Sequence, residues 1–353
     1  MLGARLDPGK PDARRLRPDP CSPRNPFVLG LVFRMSAALE HPTLAAMSTL
    51  EPLPLIQDTE GPFAGVFTLT LEQPGKPVVV LEEGLIRRLE ATLRHVPKAA
   101  RGLVLRSASE RVFVAGADLK AISEMTDPQL DEYLTYGSMV FGMLGQLACP
   151  TVAAINGAAL GGGLELAMHC DGLVAAPSPS GKPYPVGLPE AGLKICPGWG
   201  GTNLLGARID PALALDLTMS GKPLSVDEAK EKGLFDAFAP AATDLLDAAK
   251  TWLCSTSLRT AERDGAPSHW IGRTASAASN ARRESTRGSL EACATLLGSH
   301  PAESPAGAVL AAAHAGLTEG WQAALRRERR ELIRLRNAPD GKAAIAAFLS
   351  KGK

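Results

Sequence analysis

The chain has 353 residues, 45% of them apolar and 21% charged, with 38 basic and 37 acidic side chains and a formal net charge of +1. That balance gives no general electrostatic reason to bind nucleic acid or an anionic membrane surface. The six cysteines and six histidines are dispersed, with no C-x-x-C pair or H-x-x-x-H, so no metal site is expected and the cysteines read as reduced core thiols.

Residues 1–26 carry six basic residues, three acidic residues and six prolines with almost no periodicity. They predict a disordered N-terminal extension, taken over residues 1–50, with Met35 or Met47 as alternative starts. The segment lacks the apolar stretch of a secretory signal, and its three aspartates argue against a transit peptide. No apolar run approaches the roughly 18–20 residues of a membrane span. Cytoplasm is the expected compartment, with the mitochondrial matrix the alternative if the N-terminus is processed.

Alternation predicts a strand over Val66–Leu71, and Leu85, Ile86, Leu89 and Leu93 share one face of a helix over Glu82–His95. A short apolar strand over Gly102–Arg106, a helix over Gln129–Leu147 and a buried-type strand over Thr151–Ile155 follow. A helix over Gly163–His169 and a strand over Gly172–Ala176 complete an alternation that argues for an α/β core over residues 51–255. Helices are expected at Pro211–Ser220 and at Ser225–Lys232, the latter opened by a capping box of Ser225 and Glu228. Residues 255–306, rich in Ser, Ala, Arg and Gly, read as a long connection or a loosely helical segment. Ala308–Arg336 reads as helix interrupted near Gly316 and Gly320, Ala338–Gly341 as a break, and Lys342–Leu349 as a last short helix. Residues 256–353 are thus a linker and a helical C-terminal region.

Chemistry concentrates in three places. Asn156-Gly157 and the run Gly161-Gly162-Gly163 lie between a strand and a helix, where bare N–H groups and the helix dipole favour an anion or oxyanion. A plain tight turn is the simpler reading of the glycines alone. Ala115-Gly116-Ala117-Asp118 also ends a strand, and Asp118 is placed to cap the next helix, as in many ordinary turns. Glu165 falls in the first turn after the glycines among Leu160, Leu164, Leu166 and Met168, an apolar setting in which a carboxylate needs a partner or a reactant. Glu190 precedes a second glycine-rich turn, Pro197-Gly198-Trp199-Gly200-Gly201. Each acid alone also reads as a dipole-favoured residue near a helix start. Together they suit a division of general base and general acid work.

Three segments in this order resemble the motifs of the crotonase (enoyl-CoA hydratase/isomerase) family: Ala115–Lys120, Asn156–Ala167, and Leu188-Pro189-Glu190 with Pro197–Thr202. Gly221–Ser225 through Leu234 and Lys342–Leu349 resemble its later landmarks. Thr202-Asn203-Leu204-Leu205 departs from it, lacking the family's usual Gln-Arg pair. Gly187–Glu190 and Gly298–Ala302 look most like the hydratase half of multifunctional fatty-acid oxidation proteins.

The resemblance implies an α/β spiral of repeated ββα units with a helical C-terminal region, acting on an acyl-CoA thioester as an enoyl-CoA hydratase. Ala117 and Gly162 N–H would form the oxyanion hole. Ala115, Asp118, Leu119 and Lys120 would line the CoA site, and Gly198 would help hold the water. Glu165 would activate that water at Cβ, and Glu190 would deliver the proton at Cα. Pocket walls are expected from the Ile122–Met143 region and Trp199. No cofactor is expected, CoA being part of the substrate. A homotrimer or hexamer is what the family suggests. With no dinucleotide fingerprint in the chain, a separate 3-hydroxyacyl-CoA dehydrogenase is the expected metabolic partner. The alternatives are double-bond isomerisation and a non-catalytic RNA-binding or scaffold module.

Overall fold

The computed structural model describes residues 51–257, 265–276 and 298–351, together with 288, 293, 295 and 296. The expected extension over residues 1–50 and much of the connection over 255–306 lie outside the described residues.

A short strand β1 (Leu55–Gln57), not anticipated from the sequence, runs antiparallel to β2 (Val66–Leu71). Helix α1 (Glu83–Leu93) buries Leu85, Ile86, Leu89 and Leu93, the face its spacing marked out. A unit then recurs, with one strand for each of two sheets followed by helix. The first turn is β3 (Gly102–Ser107), β4 (Val112–Val114), α2 (Leu119–Glu124) and α3 (Asp127–Leu144). The second is β5 (Thr151–Ile155), β6 (Ala158–Leu160) and α4 (Gly162–Met168). The third begins with β7 (Gly172–Ala175) and β8 (Pro185–Gly187). After these come α5 (Gly201–Leu204), α6 (Pro211–Ser220), β9 (Leu224–Ser225), α7 (Val226–Glu231), β10 (Ala237–Phe238) and α8 (Leu245–Ser255). The described C-terminal helices are α9 (Ile271–Ser276), α10 (Pro305–Glu319), α11 (Trp321–Asn337) and α12 (Pro339–Lys351).

The larger sheet has the order β1-β2-β3-β5-β7-β10 and is parallel from β2 onward. Its central strands β5 and β7 are buried on both faces, as a covered parallel sheet requires. Val66, Val104, Val152 and Val174 turn to one side, against Leu245, Ala249 and Leu253 of α8. Their sequence neighbours Phe67, Leu103, Leu105, Ala153 and Leu173 turn to the main core on the other.

The smaller sheet, β4-β6-β8-β9, positions the site. Its first three strands are parallel neighbours, so their C-terminal ends open side by side.

The expected helix break at Gly316 is absent: α10 runs through it. A Cβ there would lie 1.9 Å from Asn203 Oδ1, so the glycine serves the close approach of α5 and α10. Gly320, with φ of +96°, does separate α10 from α11. Pro339 begins α12 instead of preceding it, at a position where its missing N–H costs nothing. Among the described residues, no helix is long and apolar enough to cross a membrane.

Candidate active site

Each of the three parallel strands of the smaller sheet hands over a piece of one site just beyond its C-terminal end. Ala115–Ala117 follows β4, Gly161–Glu165 follows β6, and Leu188–Glu190 follows β8. Because β6 is central, its glycines and Glu165 come between the other two pieces. All three border a cavity of about 70 Å³, more than the ~10–15 Å³ that one water needs. Ala115, Ala117, Leu119, Gly162, Glu165, Glu190 and Gly198 line it, with Ile122, Leu134, Trp199 and Leu332 among its apolar walls.

Asp118 and Lys120 do not line this cavity. The Asp118 carboxylate is used locally, accepting from Ala121 N–H at 3.1 Å to cap α2, and Lys120 is exposed.

The turn into α4 leaves no room for side chains. Gly161 has φ of +53° and ψ of −128°, and a Cβ on it would lie 2.4 Å from Glu190 Oε1. One on Gly162 would lie 2.4 Å from the Trp199 ring. Gly162 is the first residue of α4, so its N–H has no acceptor within the helix. Trp199 is fixed from the other side by Nε1 donating to Leu134 O at 3.0 Å and by edge contacts with Tyr133 and Phe141.

Glu165 is 1% exposed, and its Oε1 accepts from Trp199 N–H and Gly201 N–H, both at 2.8 Å. The intervening and following N–H groups point the other way, to a third carboxylate. Glu328 of α11, also fully buried, accepts from Gly200 N–H through Oε2 and from Thr202 N–H at 3.0 Å through Oε1, which the Thr202 hydroxyl also reaches. The left-handed Gly200, with φ of +100°, makes this alternation possible. Four consecutive amides are thereby shared between two acids, one on each side of the backbone.

Burial, and after it the charges of Glu328 and Glu190, pushes Glu165 well above the usual carboxylate range, against the pull of its two N–H donors. Burial raises Glu190 to about 8, and its buried Oε2 has no hydrogen-bond partner. Burial also raises Glu328 to about 7, opposed by the Thr202 hydroxyl and the amides. Nearby Cys196 is held as a thiol by burial. His169, packed between Phe141 and Trp321, is lowered to about 4 by burial and is neutral. A nest of acids with such proton affinities is equipped to hold and pass protons near neutral pH.

Glu328 is the residue that the sequence reading missed. It lies in the run Arg326-Arg327-Glu328-Arg329-Arg330, which looks like a solvated face. The available signal was its register: three residues after Leu325 and four before Leu332, it occupies the buried stripe of α11.

A family model described as enoyl-CoA hydratase/isomerase matches residues 63–261, more than half of the chain. The chain is 35% identical over 176 residues to the probable enoyl-CoA hydratase 2, mitochondrial, of Arabidopsis thaliana, covering 49% of this chain and 56% of that one. It is 35% identical over 188 residues to the fatty acid oxidation complex subunit alpha of Vibrio vulnificus, covering 52% of this chain. The chain thus spans about half the length of the first relative, 56%, and 26% of the second. The crystal structure of human mitochondrial delta3-delta2-enoyl-CoA isomerase is 20% identical, with a TM-score of 0.58 over 85% of this chain and 98% of that one. The crotonase fold expected from the motifs, with its helical C-terminal region, is the fold of this chain.

Proposed function

Because the chain belongs to the enoyl-CoA hydratase/isomerase family, we propose that it adds water across the double bond of a 2-enoyl-CoA to give a 3-hydroxyacyl-CoA. The observation that carries this reading is that two glutamates, Glu165 and Glu190, line one cavity beside the N-terminus of α4.

The Gly162 and Ala117 N–H groups receive the thioester oxygen. Negative charge grows there as the enolate forms, and each fixed donor lowers the barrier by about 3–4 kcal/mol. Glu165 acts in its ionised form, which the two amides on Oε1 favour against burial, and takes a proton from water as the oxygen bonds to Cβ. Glu190, protonated at neutral pH because its affinity is raised to about 8, gives a proton to Cα. The pair gains one proton and loses one, so a transfer between the two acids, directly or through solvent, resets the enzyme. No cofactor enters, since CoA arrives with the substrate. The homology to a fatty acid oxidation complex subunit favours a 3-hydroxyacyl-CoA dehydrogenase as the next enzyme.

The test follows the enoyl absorbance of crotonyl-CoA with wild type, Glu165→Gln and Glu190→Gln. Turnover by wild type and a loss of about 10²–10⁴-fold in each variant are expected. Binding of CoA thioesters without hydration of crotonyl-CoA or longer 2-enoyl-CoAs would refute the reading. The second reading, isomerisation of a 3-enoyl-CoA, is favoured by the family description, which names both reactions, and a shifted alkene in place of a hydroxyacyl product identifies it.

A further inference from the structure

We propose that Glu328 is a positioning residue for the water-activating acid: it holds the Trp199–Thr202 backbone in the conformation that grips Glu165, and its charge sets how tightly Glu165 holds a proton. This rests on the role given to Glu165 above and extends it to a residue from the C-terminal helical region.

The geometry supplies both halves of the role. Glu165 and Glu328 bind alternate amides of one four-residue stretch, Trp199 and Gly201 facing the first, Gly200 and Thr202 the second. Withdrawing either acid leaves two buried N–H groups without acceptors, at a cost that the short, glycine-containing stretch can relieve only by turning. Such a turn moves the donors of the remaining acid. Gly198, a cavity residue, immediately precedes the stretch, and Leu332, one turn beyond Glu328 on α11, closes the cavity wall against it. The same helix therefore supplies both the carboxylate behind the turn and an apolar wall in front.

Among the described residues, no arginine or lysine pairs with Glu165, Glu190 or Glu328; the arginines flanking Glu328 bind Glu331 and Asp131 instead. The titratable groups facing Glu165 are Glu328 from α11, Glu190 from the turn after β8, Cys196 from the loop before Trp199, and His169 one turn along α4, whose Nδ1 bonds Glu165 O at 2.9 Å. Glu331 of α11 acts on Cys196. With Cys196 and His169 uncharged, Glu328 is the strongest charge acting on Glu165, ahead of Glu190. Electrostatic coupling of this kind is large in a water-poor site.

The experiment compares wild type with Glu328→Gln, Glu328→Asp and Thr202→Val, reading kcat and KM for crotonyl-CoA against pH. Carbon-13 carboxyl resonances follow Glu165 titration in the ligand-free protein. In Glu328→Gln, kcat should fall about 10–100-fold with little change in KM. The acid limb of its pH profile and the Glu165 titration should both move to lower pH by about 0.5–1 unit. Glu328→Asp, which keeps the charge, should keep the limb near its wild-type position while lowering kcat. Thr202→Val removes the hydroxyl donor to Glu328 and one of the two acceptors of Asn203 Nδ2, which keeps Ala312 O, so Glu328 binds its proton more tightly, and the limb should move in the same direction as in Glu328→Gln but less. That milder variant decides the matter if Glu328→Gln fails to fold. A Glu165 titration that stays in place, with activity losses that follow only the folded fraction, would overturn the proposal. A wild type that leaves crotonyl-CoA unchanged would sink the hydratase reading instead, and the Glu165 titration would still decide the coupling.

Discussion

Substitution of Gly161 by alanine is the sharpest probe of how the site is assembled. Gly161 contributes no chemistry, but its missing side chain is the space that the Glu190 carboxylate occupies. A Cβ would stand 2.4 Å from Glu190 Oε1, whereas ordinary contact begins at 3.4 Å, so the acid must retreat by about 1 Å. Displacement on that scale costs about 10²-fold in rate, or about 2.7 kcal/mol of barrier, when the displaced group must reach a reacting carbon. The φ of +53° adds backbone strain of about 1–3 kcal/mol, which reads out as lost stability. The two effects separate against Gly65→Ala, at a φ of +87° outside the cavity, where the new Cβ meets only Arg101 Cβ at 3.4 Å. Melting curves and steady-state hydration of crotonyl-CoA should show both variants destabilised and only Gly161→Ala slow, with the deficit in kcat. A folded Gly161→Ala enzyme with wild-type kcat would show that Glu190 does not act from this position.

Two further outcomes concern pH and stability. His169 is buried and neutral, its affinity lowered from 6.5 to about 4. Its contribution is therefore fully present above pH 6.5 and is lost as pH falls toward 4, by about 3 kcal/mol in all. Chemical denaturation across this range should show that loss in wild type and a flatter profile in His169→Phe; parallel profiles would refute it. Glu190 works in the opposite sense, because its affinity is raised from 4.5 to about 8. The stability it contributes is present below pH 4.5 and declines as pH rises through 8. Glu190→Gln should accordingly raise the melting temperature at pH 8 and leave it nearly unchanged at pH 5, and an equal shift at both would contradict the burial argument.

Much of the site was legible in the sequence because its parts are local. A strand that ends in small residues and passes into a helix creates its own unpaired amides, so Ala115–Ala117 and Gly161–Gly163 could be marked without knowing their neighbours. The apolar setting of Glu165 likewise announced a buried acid. Glu328 could not be found this way, since its partners lie well over a hundred residues earlier and its immediate neighbours are arginines. Asp118 and Lys120 share a motif with the cavity residues without lining the cavity: Asp118 caps α2 and Lys120 is exposed. Gly316 was misread for a related reason. Local rules make an isolated glycine a helix breaker, whereas here the Asn203 side chain occupies the space a Cβ would need.

The separation of Thr202 from Glu328, 126 residues along the chain, also has a consequence in time. A ribosome adding ~5–20 residues per second reaches Glu328 roughly 6–25 s after Thr202. Throughout that interval the spiral of sheets can form, but the amides of Gly200 and Thr202 must find water as their acceptor. The nascent protein can therefore take shape before its acids are tuned, and the final proton affinities of Glu165 and Glu328 wait on α11.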